Sequence, residues 1–135
     1  LRSKPRYIMV GEIRTPDTAS EVLRAATSGH LVLSTIHANN ITDAINSVVK
    51  YASSTSMSEE LAYDLFSRGM LGVLHQTLNG VERKIPLVSY LFANPDSTKG
   101  DQVRGIIKTG KLNLATSIET QMTRMARGKN IFPDL

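Results

Sequence analysis

Tyr7-Ile8-Met9-Val10-Gly11-Glu12-Ile13-Arg14, followed downstream by Gly29-His30-Leu31-Val32-Leu33-Ser34-Thr35-Ile36-His37, decides the fold of this chain. Each stretch holds a short, β-rich apolar run, and each run ends in residues that can do chemistry. Tyr7-Ile8-Met9-Val10 lies between Pro5 and Gly11, and its length and content read as a buried strand. Thr15-Pro16 then supplies an N-cap and a proline at the first helical position. Ala19, Val22, Leu23 and Ala26 fall on one helical face, and Gly29 closes that helix. Leu31 to Ile36 is a second strand. Asn39-Asn40 opens a second helix, with Ile41, Ala44, Ile45, Val48, Val49 and Ala52 on its apolar face. Strand, helix, strand, helix at this spacing is a βαβ unit with parallel strands and a right-handed crossover, so the fold class is α/β.

Further along, Ser53-Ser54-Thr55-Ser56 reads as a loop. Ser58 to about Asn79 reads as one helix, supported by Leu61, Leu65 and Phe66 and interrupted by Gly69 and Gly72. Lys84 to Phe92 reads as a strand, with Pro86 placing it at a sheet edge. Two helices follow: Asp101 to Thr109, closed by Gly110, and Asn113 to Arg127, closed by Gly128. In the second, Leu114, Ile118, Met122 and Met125 share a face.

Composition narrows the function classes. The chain has 135 residues, 41% of them hydrophobic and 21% charged, enough apolar content to build a core. There is no cysteine, which excludes disulfides and cysteine-ligated zinc or iron–sulfur sites. No apolar run approaches the roughly 18 residues of a membrane helix, and no signal-peptide pattern stands at the start. Net charge is +4, and it is unevenly placed. Residues 1–98 carry nine Lys/Arg and nine Asp/Glu, whereas residues 99–135 carry seven and three. The excess thus sits in the last quarter, and the chain is divided into residues 1–95, which hold the strand-ending motifs, and a basic helical part, residues 96–135. The abrupt start, with Leu1-Arg2-Ser3-Lys4 running into a strand, suggests a piece of a larger domain.

In an open parallel sheet, ligands bind beyond the carboxyl ends of the strands. The first strand ends at Gly11-Glu12-Ile13-Arg14 and the second at Thr35-Ile36-His37, so a carboxylate, a guanidinium and an imidazole meet on one edge. A carboxylate there can orient or deprotonate a water. Arg and His can hold phosphate oxygens. The same residues also suit a plain ion pair or cap at strand ends. An apolar strand ending in an acid is also the metal-and-water motif of P-loop ATPases. His30 and His37 do not suggest a shared metal, because seven strand residues at ~3.3 Å each put them on the order of 20 Å apart. His30 suits a cap on the preceding helix, and His75 suits a satisfied core histidine on the helix expected around it.

Gly105-Ile106-Ile107-Lys108-Thr109-Gly110-Lys111-Leu112 matches the phosphate-cradling pattern G-x-x-x-x-G-K at seven positions. The eighth should be Ser or Thr, whose hydroxyl meets Mg²⁺, and the pattern should follow a strand. Here the eighth is Leu112 and the preceding segment is polar, so the match reads as a helix, a glycine cap and the next helix.

The block Tyr7 to Arg14, with the block Ala25-Ala26-Thr27-Ser28-Gly29-His30-Leu31-Val32-Leu33-Ser34-Thr35-Ile36-His37-Ala38, resembles the secretion ATPases. These are the hexameric motors of type II secretion, type IV pilus extension and retraction, and type IV secretion and conjugation. The first block is similar to their Walker B motif and the second to their His box, in the family's order and spacing. Leu65 to Leu78 and Val103-Arg104-Gly105-Ile106-Ile107-Lys108 resemble the pilus-retraction branch. The resemblance implies the C-terminal half of a RecA-like core followed by a helical C-terminal region. It implies hydrolysis of ATP with Mg²⁺ between subunits of a homo-hexamer, in the cytoplasm at the bacterial inner membrane. A platform protein of that membrane, with no direct nucleic acid, would be its partner.

By position, Glu12 would polarise the attacking water and His37 would meet the γ-phosphate side. Gly11, Arg14, Thr35 and His30 would stand on the nucleotide side. No residue of the chain would hold the metal directly, because the family's Walker A loop would precede Leu1. Alone, the chain is expected neither to bind ATP tightly nor to hydrolyse it. Lys4, Arg6, Thr15 and Thr27 depart from acids common in the family, and Arg127-Gly128-Lys129 departs from its Gly-Met, which marks a divergent branch. The alternative function is a basic helical interaction module binding nucleic acid or an acidic partner, which a steep salt dependence of binding would reveal.

Overall fold

Short polar side chains start the first three helices. In the computed structural model, which describes residues 6–94, 102–112 and 115–126, helix α1 (Pro16–Thr27) opens on Thr15, whose hydroxyl accepts the Thr18 N–H at 3.2 Å. Helix α2 (Ile41–Ser53) opens on a reciprocal pair: Asn40 Oδ1 accepts the Asp43 N–H at 2.8 Å, and Asp43 Oδ2 accepts the Asn39 N–H at 2.9 Å. Helix α3 (Glu59–Gly69) is capped by the Ser58 hydroxyl. Gly29 follows α1 at a φ of 92°, the left-handed position a glycine C′ fills.

Strand β1 (Tyr7–Val10) and strand β2 (Leu31–Ser34) pair in parallel across α1, with Tyr7 opposite Leu31 and Val10 opposite Ser34. The βαβ unit therefore stands as expected. The expectation of a buried first strand does not: Tyr7 is 69%, Met9 80% and Leu33 51% exposed, while Ile8, Val10 and Val32 are half-buried. Among the described residues β1 and β2 pair only with each other, and the face that carries Tyr7, Met9 and Leu33 lies open.

The long helix expected from Ser58 to Asn79 divides. It ends at Gly69, and Gly72–Asn79 is strand β3, paired antiparallel with strand β4 (Ile85–Phe92). Leu71, Leu74 and Leu78 imitate a helical face, but Leu74 and Leu78 are 68% and 59% exposed on the hairpin. The two glycines were the correct signal. A Cβ at Gly69 would come to 3.0 Å from Ala26 Cβ, so a side chain there would have to push α3 and α1 apart by a few tenths of an ångström. A Cβ at Gly72 would meet the ring of Phe92, its cross-strand partner. Among the described residues, the hairpin strand that holds Pro86 has one neighbour, in keeping with the edge position expected of it.

The core forms where α1, α2 and α3 pack on one another and the C-terminal helices pack on α3 and β4. Helix α4 (Gln102–Thr109) and helix α5 (Ala115–Ala126) contribute Ile107 and Ile118, which join Ile41, Ile45, Val49, Leu91 and Leu112 as fully buried side chains. The expected apolar face of α2 is buried along its whole length. The Asn113 start and the Arg127-Gly128 end expected for the last helix lie outside the described residues, as do Leu114, Lys4, Lys129 and the 95/96 boundary.

Tyr63 of α3 donates its phenol hydrogen to Asn46 Oδ1 of α2 at 2.8 Å, and its ring lies where a Cβ on Gly110 would approach to 3.0 Å. Burial, with the Glu59 carboxylate as a lesser cause, raises its pKa above the ordinary 10.0. The neutral phenol is thus favoured in the fold, and its contribution is complete below pH 10.0 and lost as pH rises beyond it. Tyr63→Phe should cost about 1 kcal/mol at neutral pH and flatten the alkaline fall in stability, as read by urea unfolding across pH. An unchanged alkaline profile would place the titrating group elsewhere.

Candidate active site

Parallel pairing sends both strand ends to the same edge, and two further bonds lock them there. The Ile13 N–H donates to Thr35 O at 2.8 Å, which continues the ladder beyond the strands. The Thr35 hydroxyl donates to Gly11 O at 2.5 Å. Ile13 is 5% exposed and roots the turn in the core. Glu12 is therefore held between two pinned residues.

Both carboxylate oxygens of Glu12 are engaged. Oε2 lies 2.5 Å from Arg14 Nε, and Oε1 lies 3.1 Å from His37 Nε2. The Glu12 side chain is 21% exposed, whereas those of Arg14 and His37 are 75% and 95% exposed. The acid thus sits inside a rim of two groups that reach outward. Surface pairs of this kind contribute about 0–1 kcal/mol to stability, so folding gains little from gathering them. A screened carboxylate behind an exposed guanidinium and imidazole can polarise a water while its neighbours meet an anion.

Five of the six residues singled out from sequence converge here: Gly11, Glu12, Arg14, Thr35 and His37. His30 does not. It lies at the opposite end of β2, where its N–H donates to Ala25 O at 3.4 Å and the adjacent Leu31 N–H donates to Arg6 O. His75 is not on a helix as expected but on β3, half-buried, with Nε2 at 2.9 Å from Ala38 O. The imitation phosphate loop is helical through Thr109, turns at Gly110 with a φ of 69°, and buries Leu112 to 1% exposure. The residue that would face a metal in a true loop faces the core.

The hydrogen bonds from Thr35 and His75 span 24 and 37 residues of sequence. No local pattern signals such partners. Glu12 and His37 were legible because each closes an apolar strand.

Residues 1–86 match the family model described as type II/IV secretion system protein. A twitching motility protein of Neisseria gonorrhoeae is 26% identical over 146 aligned residues, which cover 99% of this chain and 38% of that protein. Type II secretion system protein E of Pseudomonas aeruginosa is 42% identical over 78 residues, covering 58% of this chain and 14% of that protein. Among solved structures, the pilus retraction motor PilT with bound ADP superposes with a TM-score of 0.67 at 26% identity, covering 96% of this chain and 38% of that one. The Legionella pneumophila ATPase DotB superposes with a TM-score of 0.65 at 24% identity, covering 98% of this chain and 37% of that one. The chain spans well under half the length of these relatives. The α/β fold expected from the order of strands and helices, with the RecA-like core that the resemblance implies, is the fold these neighbours share.

Proposed function

The chain belongs to the type II/IV secretion system protein family, and from that premise we infer that it supplies the water-side edge of a motor ATPase site in a longer protein. The observation that carries this reading is the Glu12 carboxylate, pinned between two backbone anchors and ringed by Arg14 and His37. ATP with Mg²⁺ supplies the phosphoanhydride to be cleaved. Glu12 accepts a hydrogen bond from a water and aligns it. Arg14 holds one carboxylate oxygen and His37 the other, so the acid presents one geometry. The exposed His37 imidazole then stands beside the terminal phosphate. The space beside Gly11 is open, since a Cβ there would meet nothing within 4 Å.

Among the described residues no group of three or more His, Asp or Glu is placed to hold a metal. In this reading Mg²⁺ would arrive on the nucleotide phosphates, as it commonly does. The relatives' names support pilus or secretion work for the whole protein; that it works as a ring of six copies on an inner-membrane platform, from the cytoplasm, is part of the proposal and rests on the resemblance of its motifs. Of the described cations at the basic end, Arg104 is buried on carbonyls and serves as packing, whereas Lys108, 3.9 Å from Asp64, and Arg124, which reaches Gln102 Oε1, are exposed.

The test is ATP turnover by the intact protein. We expect Mg²⁺-dependent hydrolysis, and none from residues 1–135 alone. Absence of turnover in the intact protein under all oligomeric conditions would contradict the reading.

A further inference from the structure

Thr35 stands among residues expected to face phosphate, yet its chemistry is already committed. A threonine hydroxyl has one hydrogen to give. Here it goes to Gly11 O at 2.5 Å, across 24 residues of sequence. The same residue's carbonyl accepts the Ile13 N–H at 2.8 Å. Gly11 and Ile13 flank Glu12, so Thr35 grips the turn on both sides of the acid. Two residues on, His37 meets the acid's own carboxylate at 3.1 Å. One extended segment thus fixes Glu12 at its backbone and at its side chain.

The turn needs such a grip. Glycine at position 11 brings no side-chain contact to restrain it, and a Cβ there would meet nothing within 4 Å. Ile13 is anchored in the core, but Gly11 is exposed. The hydroxyl of Thr35 is the bond that ties the exposed side of the turn to β2.

We propose that Thr35 is a positioning residue that holds the Gly11–Ile13 turn, and through it the Glu12 carboxylate, in register for water activation, and that it is not a phosphate ligand. This rests on the motor ATPase reading above. A phosphate oxygen needs a donor, and the Thr35 hydrogen is spent on Gly11 O. Loosening the turn shifts the carboxylate relative to its water, and displacements near 1 Å can cost on the order of 10²-fold in rate.

The experiment compares Thr35→Val and Thr35→Ser in the intact protein. Valine keeps the branched shape and removes the hydroxyl, whereas serine keeps the hydroxyl. Steady-state ATP turnover and equilibrium binding of an ATP analogue are measured for each. The expected result is a kcat about 10- to 100-fold lower in Thr35→Val, an analogue affinity within about twofold of wild type, and recovery in Thr35→Ser to within about threefold. A phosphate ligand would instead lose affinity with kcat, and that outcome overturns the proposal, as does an unchanged kcat in Thr35→Val or a failure of serine to restore it. Should Thr35→Val not fold, hydrogen exchange at the Gly11–Ile13 amides of Thr35→Ala decides. Faster exchange at those amides alone supports the grip, and unchanged exchange there overturns it. Glu12→Gln, assayed alongside, keeps the two ideas separable. A dead Glu12→Gln with an unaffected Thr35→Val removes the grip but leaves the ATPase reading standing. Undiminished turnover in Glu12→Gln removes both.

Discussion

Glu12→Gln in the intact protein should lower ATP turnover roughly 10²- to 10⁴-fold, about 3–5 kcal/mol in the barrier, while ATP binding stays within about threefold of wild type. The substitution is nearly isosteric. A glutamine side chain still accepts from Arg14, so the turn pinned by Thr35 and Ile13 keeps its shape. What vanishes is the negative charge that draws a proton from water. Exposed pairs such as Glu12–Arg14 carry about 0–1 kcal/mol, so unfolding cannot account for a large loss of rate. Turnover measured beside unfolding and binding checks all three. A parallel loss of binding would move Glu12 from the water to the nucleotide itself.

Arg104→Met should destabilise the fold by about 3 kcal/mol or more, the largest stability effect expected of a polar residue here. Arg104 is 7% exposed on α4. Its Nη1 donates to Ser67 O at 2.5 Å and Arg68 O at 3.0 Å, and its Nη2 donates to Asn94 O at 2.5 Å. Ser67 and Arg68 lie in the last turn of α3, where carbonyls lack helical partners and a cation is favoured. One guanidinium therefore closes the end of α3, fastens α4 to it and ties down the residues after β4. Methionine matches the stem but abandons three carbonyls, and charged hydrogen bonds are worth about 1.5–3 kcal/mol each. Arg104→Lys should restore less than half, since an ammonium cannot reproduce the fork. Urea unfolding measures both, and a loss under about 1 kcal/mol for Arg104→Met would show that other contacts hold α3 and α4 together.

What could be read from sequence was what short-range periodicity and capping encode. The α1 and α2 faces, the Thr15 and Asn40 caps and the Gly29 stop all stand in the fold. Each depends on residues within one or two helical turns. The segment from Gly72 to Asn79 follows directly on the helix that Leu61, Leu65 and Phe66 support, with only Gly69 and Gly72 to break it, and its strand state comes from pairing with Ile85–Phe92. Arg104 and His75 were opaque for the same reason, since their partners lie 10 to 37 residues away. At the site, strand endings placed Glu12, Arg14 and His37 on one edge. The role of Thr35 emerged only when its hydroxyl could be traced to Gly11 O.

We propose the carboxyl edge of β1 and β2 as the water side of an ATP site. The most direct measurement is a structure of the intact protein with a non-hydrolysable ATP analogue and Mg²⁺. We expect one ordered water between the Glu12 carboxylate and the terminal phosphate, His37 beside that phosphate, and the Thr35 hydroxyl still on Gly11 O. A nucleotide bound with its terminal phosphate away from this edge, or a Glu12 turned from it with no shared water, would contradict the account.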